Sequence, residues 1–150
     1  MFNTTIATQI YAKICFEATN SQKKIIENLS EYLSDDDFSR IFVLNGFAGT
    51  GKTTLIAAVV AALKELRIKP VLLAPTGRAA KVLARYCGEQ ALTIHKRIYR
   101  QRTNADYESK FSLDFNREQG AVFIVDEASM LSDSTGDGAP VSYTHLRAHE

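Results

Sequence analysis

The stretch Ile41-Phe42-Val43-Leu44-Asn45-Gly46-Phe47-Ala48-Gly49-Thr50-Gly51-Lys52-Thr53-Thr54 decides the fold. Four consecutive apolar residues, 41–44, predict a strand of a parallel sheet, because such strands are covered on both faces and lose the polar alternation of a half-exposed strand. The glycines that follow, Gly46, Gly49 and Gly51, predict a tight loop whose backbone takes conformations closed to other residues. Residues 53–66 are rich in Ala, Leu and Val and carry charge only near their end, at Lys64 and Glu65. They predict a helix packed closely on a sheet.

Outward from this strand, loop and helix the alternation continues. Pro70 marks a boundary, Val71–Ala74 reads as a second strand, Pro75-Thr76-Gly77 as a turn and Arg78–Tyr86 as a second helix. Ala121–Val125 reads as a third strand. This order implies an α/β fold: a three-layer domain with a mainly parallel sheet, incomplete at its C-terminus, whose ligands bind beyond the carboxyl ends of the strands. Upstream, a helix is expected to start near Asn20 or Ser21, with Ile25, Ile26, Leu29, Tyr32 and Leu33 on one face, and to end at Ser34–Asp37. Residues 1–19 show no clear pattern and are expected to be an N-terminal extension. Residues 99–119 are polar, with Phe111, Leu113 and Phe115 alternating, and fit a hairpin arm or a loop equally. The expected organisation is an extension (1–19), one domain (20–133) and a tail (134–150).

Composition bounds the function. The chain has 150 residues and a net charge of +1, so nucleic-acid binding must come from a local basic patch and not from the whole surface. Cys15 and Cys87 lie in no CxxC or Cys/His cluster, which argues against a metal centre or a disulfide framework and fits a reducing, cytoplasmic setting. The longest apolar run, Leu55–Leu63, is far short of a membrane span. Met1-Phe2-Asn3-Thr4-Thr5 lacks the basic start and apolar core of a secretion signal.

Two patterns carry chemistry. In Gly46-x-x-x-x-Gly51-Lys52-Thr53 the glycines let backbone N–H groups turn inward around phosphate oxygens, and the next helix points its positive end at the same group. The expected ligand is ATP with Mg²⁺, held by Gly46, Ala48, Gly49, Thr50, Gly51, Lys52, Thr53 and Thr54. Lys52 reaches the β- and γ-phosphates and the Thr53 hydroxyl ligates Mg²⁺. At the end of the third strand, Asp126 is the expected second Mg²⁺ ligand, and Glu127 the base that orients and deprotonates the attacking water. Arg78, Lys81 and Arg85 share a helical face, and His95, Lys96, Arg97, Arg100 and Arg102 follow. Such a stretch makes either a phosphate-backbone track or an ordinary solvated face.

These residues together resemble a known family. Residues from about 19 to 132 are similar to the first motor domain of superfamily 1 DNA helicases of the RecD/Dda type. The likeness rests on Gly-Phe-Ala-Gly-Thr-Gly-Lys-Thr-Thr at 46–54, Ala-Pro-Thr-Gly-Arg-Ala-Ala-Lys at 74–81, Thr-Ile-His-Lys at 93–96 and Val-Asp-Glu-Ala-Ser-Met at 125–130. The first motif is shared by many phosphate-loop enzymes; the second and third are more specific to this group. The resemblance implies a RecA-like domain that couples ATP hydrolysis to movement along single-stranded DNA. It implies that Gln22, just before the first helix, contacts adenine, and that Pro75, Thr76, Arg78, Thr93 and His95 touch the strand. Ser129 and Met130 match the stretch that links the nucleotide site to the strand track.

The pattern stops near Leu131. The segment that senses the γ-phosphate, a second motor domain and its arginine finger are not seen, so the chain as given is expected to bind nucleotide with little turnover. Residues 140–150 resemble a translated sequencing adapter and are excluded from the fold reading. Two rival classes stand beside the helicase: a nucleotide or nucleoside kinase, for which no Arg-rich lid is seen, and a non-catalytic nucleotide-binding module.

Overall fold

The computed structural model describes residues 2–35, 40–47, 49–102, 110–113 and 120–131. Ala48 and the tail 134–150 lie outside the described residues. The chain divides into two compact units, residues 1–70 and 71–150.

Among the described residues the first unit holds three helices, α1 (Phe2–Lys13), α2 (Asn20–Ser34) and α3 (Lys52–Glu65). Helix α2 starts at Asn20, one of the two expected positions, and its cap is Thr19. The Thr19 hydroxyl accepts from the Gln22 N–H (3.3 Å) and the Gln22 side chain accepts from the Thr19 N–H (3.0 Å). This reciprocal pair satisfies two end groups that Asn20 or Ser21 could not pair in the same way. Gln22 is therefore inside the first turn of α2, not ahead of it. Ile26 and Ser30 are buried on this helix, and the Ser30 hydroxyl is satisfied by the Ile26 carbonyl at 2.7 Å.

Helix α1 lies within residues 1–19, expected as an extension. It packs against both α2 and α3 and buries Ile6 and Ile10, the latter with no exposed surface. Lys13 Nζ donates to Glu65 Oε1 at 2.7 Å, joining the ends of α1 and α3, and this bond holds the Glu65 carboxyl below its usual range. Both side chains are solvated, so the pair contributes little to stability. On α3, Leu55, Ala58, Val59, Val60, Ala62 and Leu63 are buried.

The strand expected at 41–44 does not form. No described residue pairs with the segment in a ladder, and Ile41 and Val43 are 72% and 71% exposed. The described elements of its unit are helices, so no ladder partner is at hand for its N–H and C=O groups. It is held instead to the end of α2: the Tyr32 hydroxyl donates to the Arg40 carbonyl (2.9 Å), Arg40 pairs with Asp35, and the Tyr32 and Phe42 rings lie 5.6 Å apart.

The second unit carries the α/β architecture read from the sequence. Strands β1 (Pro70–Ala74), β2 (Ala91–Thr93) and β5 (Val122–Val125) form a parallel sheet in the order β2-β1-β5. In the β1–β2 register, Leu72 faces Ala91 and Ala74 faces Thr93. Helix α4 (Gly77–Cys87) makes the crossover between them. It is capped by Thr76, whose hydroxyl accepts from the Ala79 N–H, and ends at Gly88 in left-handed backbone (φ +65). Leu72, Leu73, Ala74, Ala80, Leu83 and Ile94 are buried in this unit. The short helix α5 (Ile94–Ile98) leads into a hairpin of β3 (Tyr99–Arg102) and β4 (Lys110–Leu113). Its antiparallel register, Tyr99 to Leu113 and Arg102 to Lys110, settles the choice between hairpin and loop. A 3₁₀ turn over Ala128–Met130 follows β5.

If α1 is part of the core, Ile10→Ala lowers unfolding stability by about 2–5 kcal/mol in urea denaturation. A change below about 0.5 kcal/mol is the result for a mere extension.

Candidate nucleotide and nucleic-acid sites

The loop at 46–51 is closed by its own atoms. Gly49 and Gly51 have φ of +78° and +81°, the left-handed region that costs other residues about 1–2 kcal/mol. A Cβ on Gly46 would lie 2.9 Å from Thr50 Oγ1, so that position also needs glycine. The Thr50 hydroxyl donates to the Phe47 carbonyl at 2.8 Å. Lys52 folds back over the loop, its Nζ donating to the carbonyls of Gly46 and Phe47, the second at 2.7 Å.

Helix α3 leaves the loop directly. Its first residue is Lys52, its N-cap is Gly51, and no side chain caps it. The first helical bond from Gly51 O goes to the Leu55 N–H (2.9 Å), so the N–H groups of Lys52, Thr53 and Thr54 lie in the uncapped first turn. Uncapped donors at the positive end of a 14-residue helix, beside an ammonium group, are what a polyphosphate requires. Thr53 is half-buried in this turn and Thr54 is exposed. Gln22 also belongs here: its Nε2 lies 3.2 Å from where a Cβ on Gly51 would be. The first unit thus brings together Gln22, Gly46, Gly49, Thr50, Gly51, Lys52, Thr53 and Thr54.

The second unit gathers the remaining candidates at the carboxyl ends of its strands. Pro75 and Thr76 follow β1, Thr93 ends β2 beside Ala74, and Asp126 follows β5. The Asp126 N–H donates to Leu73 O (3.0 Å), which fixes it to the end of β1. Asp126 Oδ1 in turn accepts from the Glu127 N–H at 2.9 Å. Glu127 is exposed and has φ +56°, a strained conformation for a residue with a side chain. Thr76 and Thr93 both cap helices, Thr93 by accepting the Lys96 N–H at 3.1 Å. Each hydroxyl keeps its own hydrogen for an outside acceptor. Arg78 is exposed in the first turn of α4, and His95 is exposed on α5. Burial, then the charges of Asp126 and Glu89, push the Cys87 thiol up, so it is a poor nucleophile. Among the described residues no cluster of His, Cys, Asp and Glu could hold a metal by itself, and no helix is long and apolar enough to cross a membrane.

A family described as AAA domain matches residues 17–138, most of the chain. The chain belongs to this family. Among relatives of this AAA domain, the ATP-dependent RecD2 DNA helicase of Deinococcus radiodurans is 30% identical over 114 residues, 76% of this chain. The ATP-dependent DNA helicase dda of Enterobacteria phage T4 is 45% identical over 53 residues, 35% of this chain. The AAA domain chain covers 15% of the first relative's length and 12% of the second's.

The sequence reading did not find Thr19, the tie from Asp126 to Leu73, or the left-handed Glu127. The first had a signal, Thr-x-x-Gln just ahead of an apolar helix face. The other two had none. Asn tolerates left-handed backbone, so Glu127→Asn should raise unfolding stability by up to about 1 kcal/mol in urea titration. A loss of stability would show that residue 127 carries no strain.

Proposed function

We propose that this chain is the ATP-binding motor domain of an ATP-dependent DNA helicase that couples hydrolysis to translocation on single-stranded DNA. The observation that carries the reading is the uncapped start of α3, with Lys52 folded beside it on the carbonyls of Gly46 and Phe47. A helix this apolar gains from a cap, and lacks one where a phosphate would supply the missing acceptors.

In this reading the backbone N–H groups of 49–54 hold the β- and γ-phosphates, with Lys52 spanning them. Thr53 and Asp126 hold Mg²⁺, which when bound neutralises charge on the phosphate oxygens. Glu127 orients and deprotonates the attacking water. Gln22 contacts the base. Pro75, Thr76, Arg78, Thr93 and His95, at or near the carboxyl edge of the β1–β2 sheet, take the phosphate backbone of a single strand. The DNA helicase relatives support this partner, and a cytoplasmic setting accords with it. Residues 20–133, with α1 packed on helices α2 and α3, form the RecA-like ATPase module.

Calorimetry tests the nucleotide reading: Lys52→Ala should weaken ATP–Mg²⁺ binding at least tenfold, and equal affinity of both proteins contradicts it. The DNA reading is tested on the full-length natural protein, whose ATPase rate should rise when single-stranded DNA is added. An unchanged rate with phosphorylation of a small nucleoside would favour a kinase instead.

A further inference from the structure

Two side chains share the carbonyls of the phosphate loop, and they share them unequally. Lys52 Nζ donates to the carbonyls of Gly46 and Phe47, the second at 2.7 Å. The Thr50 hydroxyl also donates to the Phe47 carbonyl, at 2.8 Å. A carbonyl oxygen has two lone pairs, so Phe47 holds both donors at once. Thr50 is fixed in this position from two sides. Its β-branched side chain has few rotamers open to it. Gly46 leaves it room, since a Cβ there would lie 2.9 Å from Thr50 Oγ1. Unlike Gly49 and Gly51, Gly46 has no positive φ, so the Thr50 hydroxyl, more than the backbone, requires glycine at 46.

A triphosphate changes this sharing. An ammonium group has three N–H donors, and the two loop carbonyls take two of them in the free protein. The one left over suffices for a single phosphate. Spanning the β- and γ-phosphates, as the reading above requires, takes two, so Lys52 gives up one carbonyl. Phe47 is the carbonyl it can leave without orphaning the oxygen, because Thr50 still donates to it. A diphosphate asks for one donor only and displaces neither carbonyl. We propose that Thr50 is a positioning residue whose hydroxyl keeps the Phe47 carbonyl when Lys52 turns from it to the γ-phosphate, so that it strengthens the binding of triphosphates and not of diphosphates. This rests on the loop holding ATP, and it adds a side chain that separates substrate from product.

Thr50→Val keeps the shape of the side chain and removes the hydroxyl. Thr50→Ala removes it with no bulk to misplace, and Thr50→Ser keeps it. The experiment is calorimetry of the 150-residue chain with ATP, ADP and inorganic tripolyphosphate, each with Mg²⁺. Thr50→Val and Thr50→Ala should each bind ATP and tripolyphosphate about threefold to tenfold more weakly than the unaltered chain, the loss of one hydrogen bond. Their ADP affinity should stay within about twofold of the unaltered chain's, which a loop merely loosened by the change would not allow. Thr50→Ser should bind ATP as the unaltered chain does. With Lys52→Ala already present, Thr50→Val should cost ATP nothing further, since no lysine remains to exchange one acceptor for another. The proposal is overturned if Thr50→Val and Thr50→Ala bind ATP as well as the unaltered chain, or if they lose ADP in equal measure. It is overturned too if Thr50→Ser fails to restore ATP, or if Thr50→Val weakens the Lys52→Ala chain as much as the unaltered one. Failure of tripolyphosphate and ATP alike to bind the unaltered chain would overturn the nucleotide reading itself, and the proposal with it.

Discussion

Left-handed backbone at Gly49 and Gly51 is the constraint on which the nucleotide site depends. It reverses the chain in so few residues that α3 begins at Lys52, leaving no position for a capping side chain. With glycine as the N-cap, the uncapped turn costs the free protein only about a few tenths of a kcal/mol of helix stability. It also leaves donors that an anion can satisfy, and delivers the lysine to the same place. A Cβ on Gly51 would lie 3.2 Å from Gln22 Nε2, the end of a flexible side chain that can give way, so it is the backbone conformation that demands glycine there.

A comparable economy governs the second unit. The Asp126 N–H completes the β1–β5 ladder while its side chain holds the next residue's N–H, so one residue ends the strand and fixes the turn. Glu127 then takes a conformation that ordinary stability would select against. Strain stored beside an exposed carboxylate, at the carboxyl edge of a parallel sheet, accords with a catalytic post. Thr76 and Thr93 show the same double use, capping helices at the edge where a strand of DNA is proposed to run.

Much of this was legible in the sequence, for identifiable reasons. Helices α3 and α4 and strands β1 and β5 stand within one or two residues of their expected bounds, because continuous apolar runs between Gly and Pro leave few alternatives. Helix α1 was not legible, since Ile6 and Ile10, the buried residues among those described on it, are too few for a helical period to show. Strand β2 has three residues, too few for a period to show. The run 41–44 misled because apolar character reports a tendency to be buried, whereas a strand also needs a partner ladder. In the site, spacing singled out the loop residues and Asp126 as candidates, because phosphate chemistry demands those types in that order. Spacing could not show which way the Gln22 amide turns, which depends on a hydrogen bond to a main-chain group.

The central claim is that the loop and the first turn of α3 form the polyphosphate site. Backbone amide NMR of the ¹⁵N-labelled chain, titrated with ATP–Mg²⁺, tests it residue by residue. The account predicts the largest shifts at the amides of Gly49 to Thr54, with the outer face of α4 around Val82 and Tyr86 unmoved. Shifts centred elsewhere, with 49–54 unchanged, would contradict it.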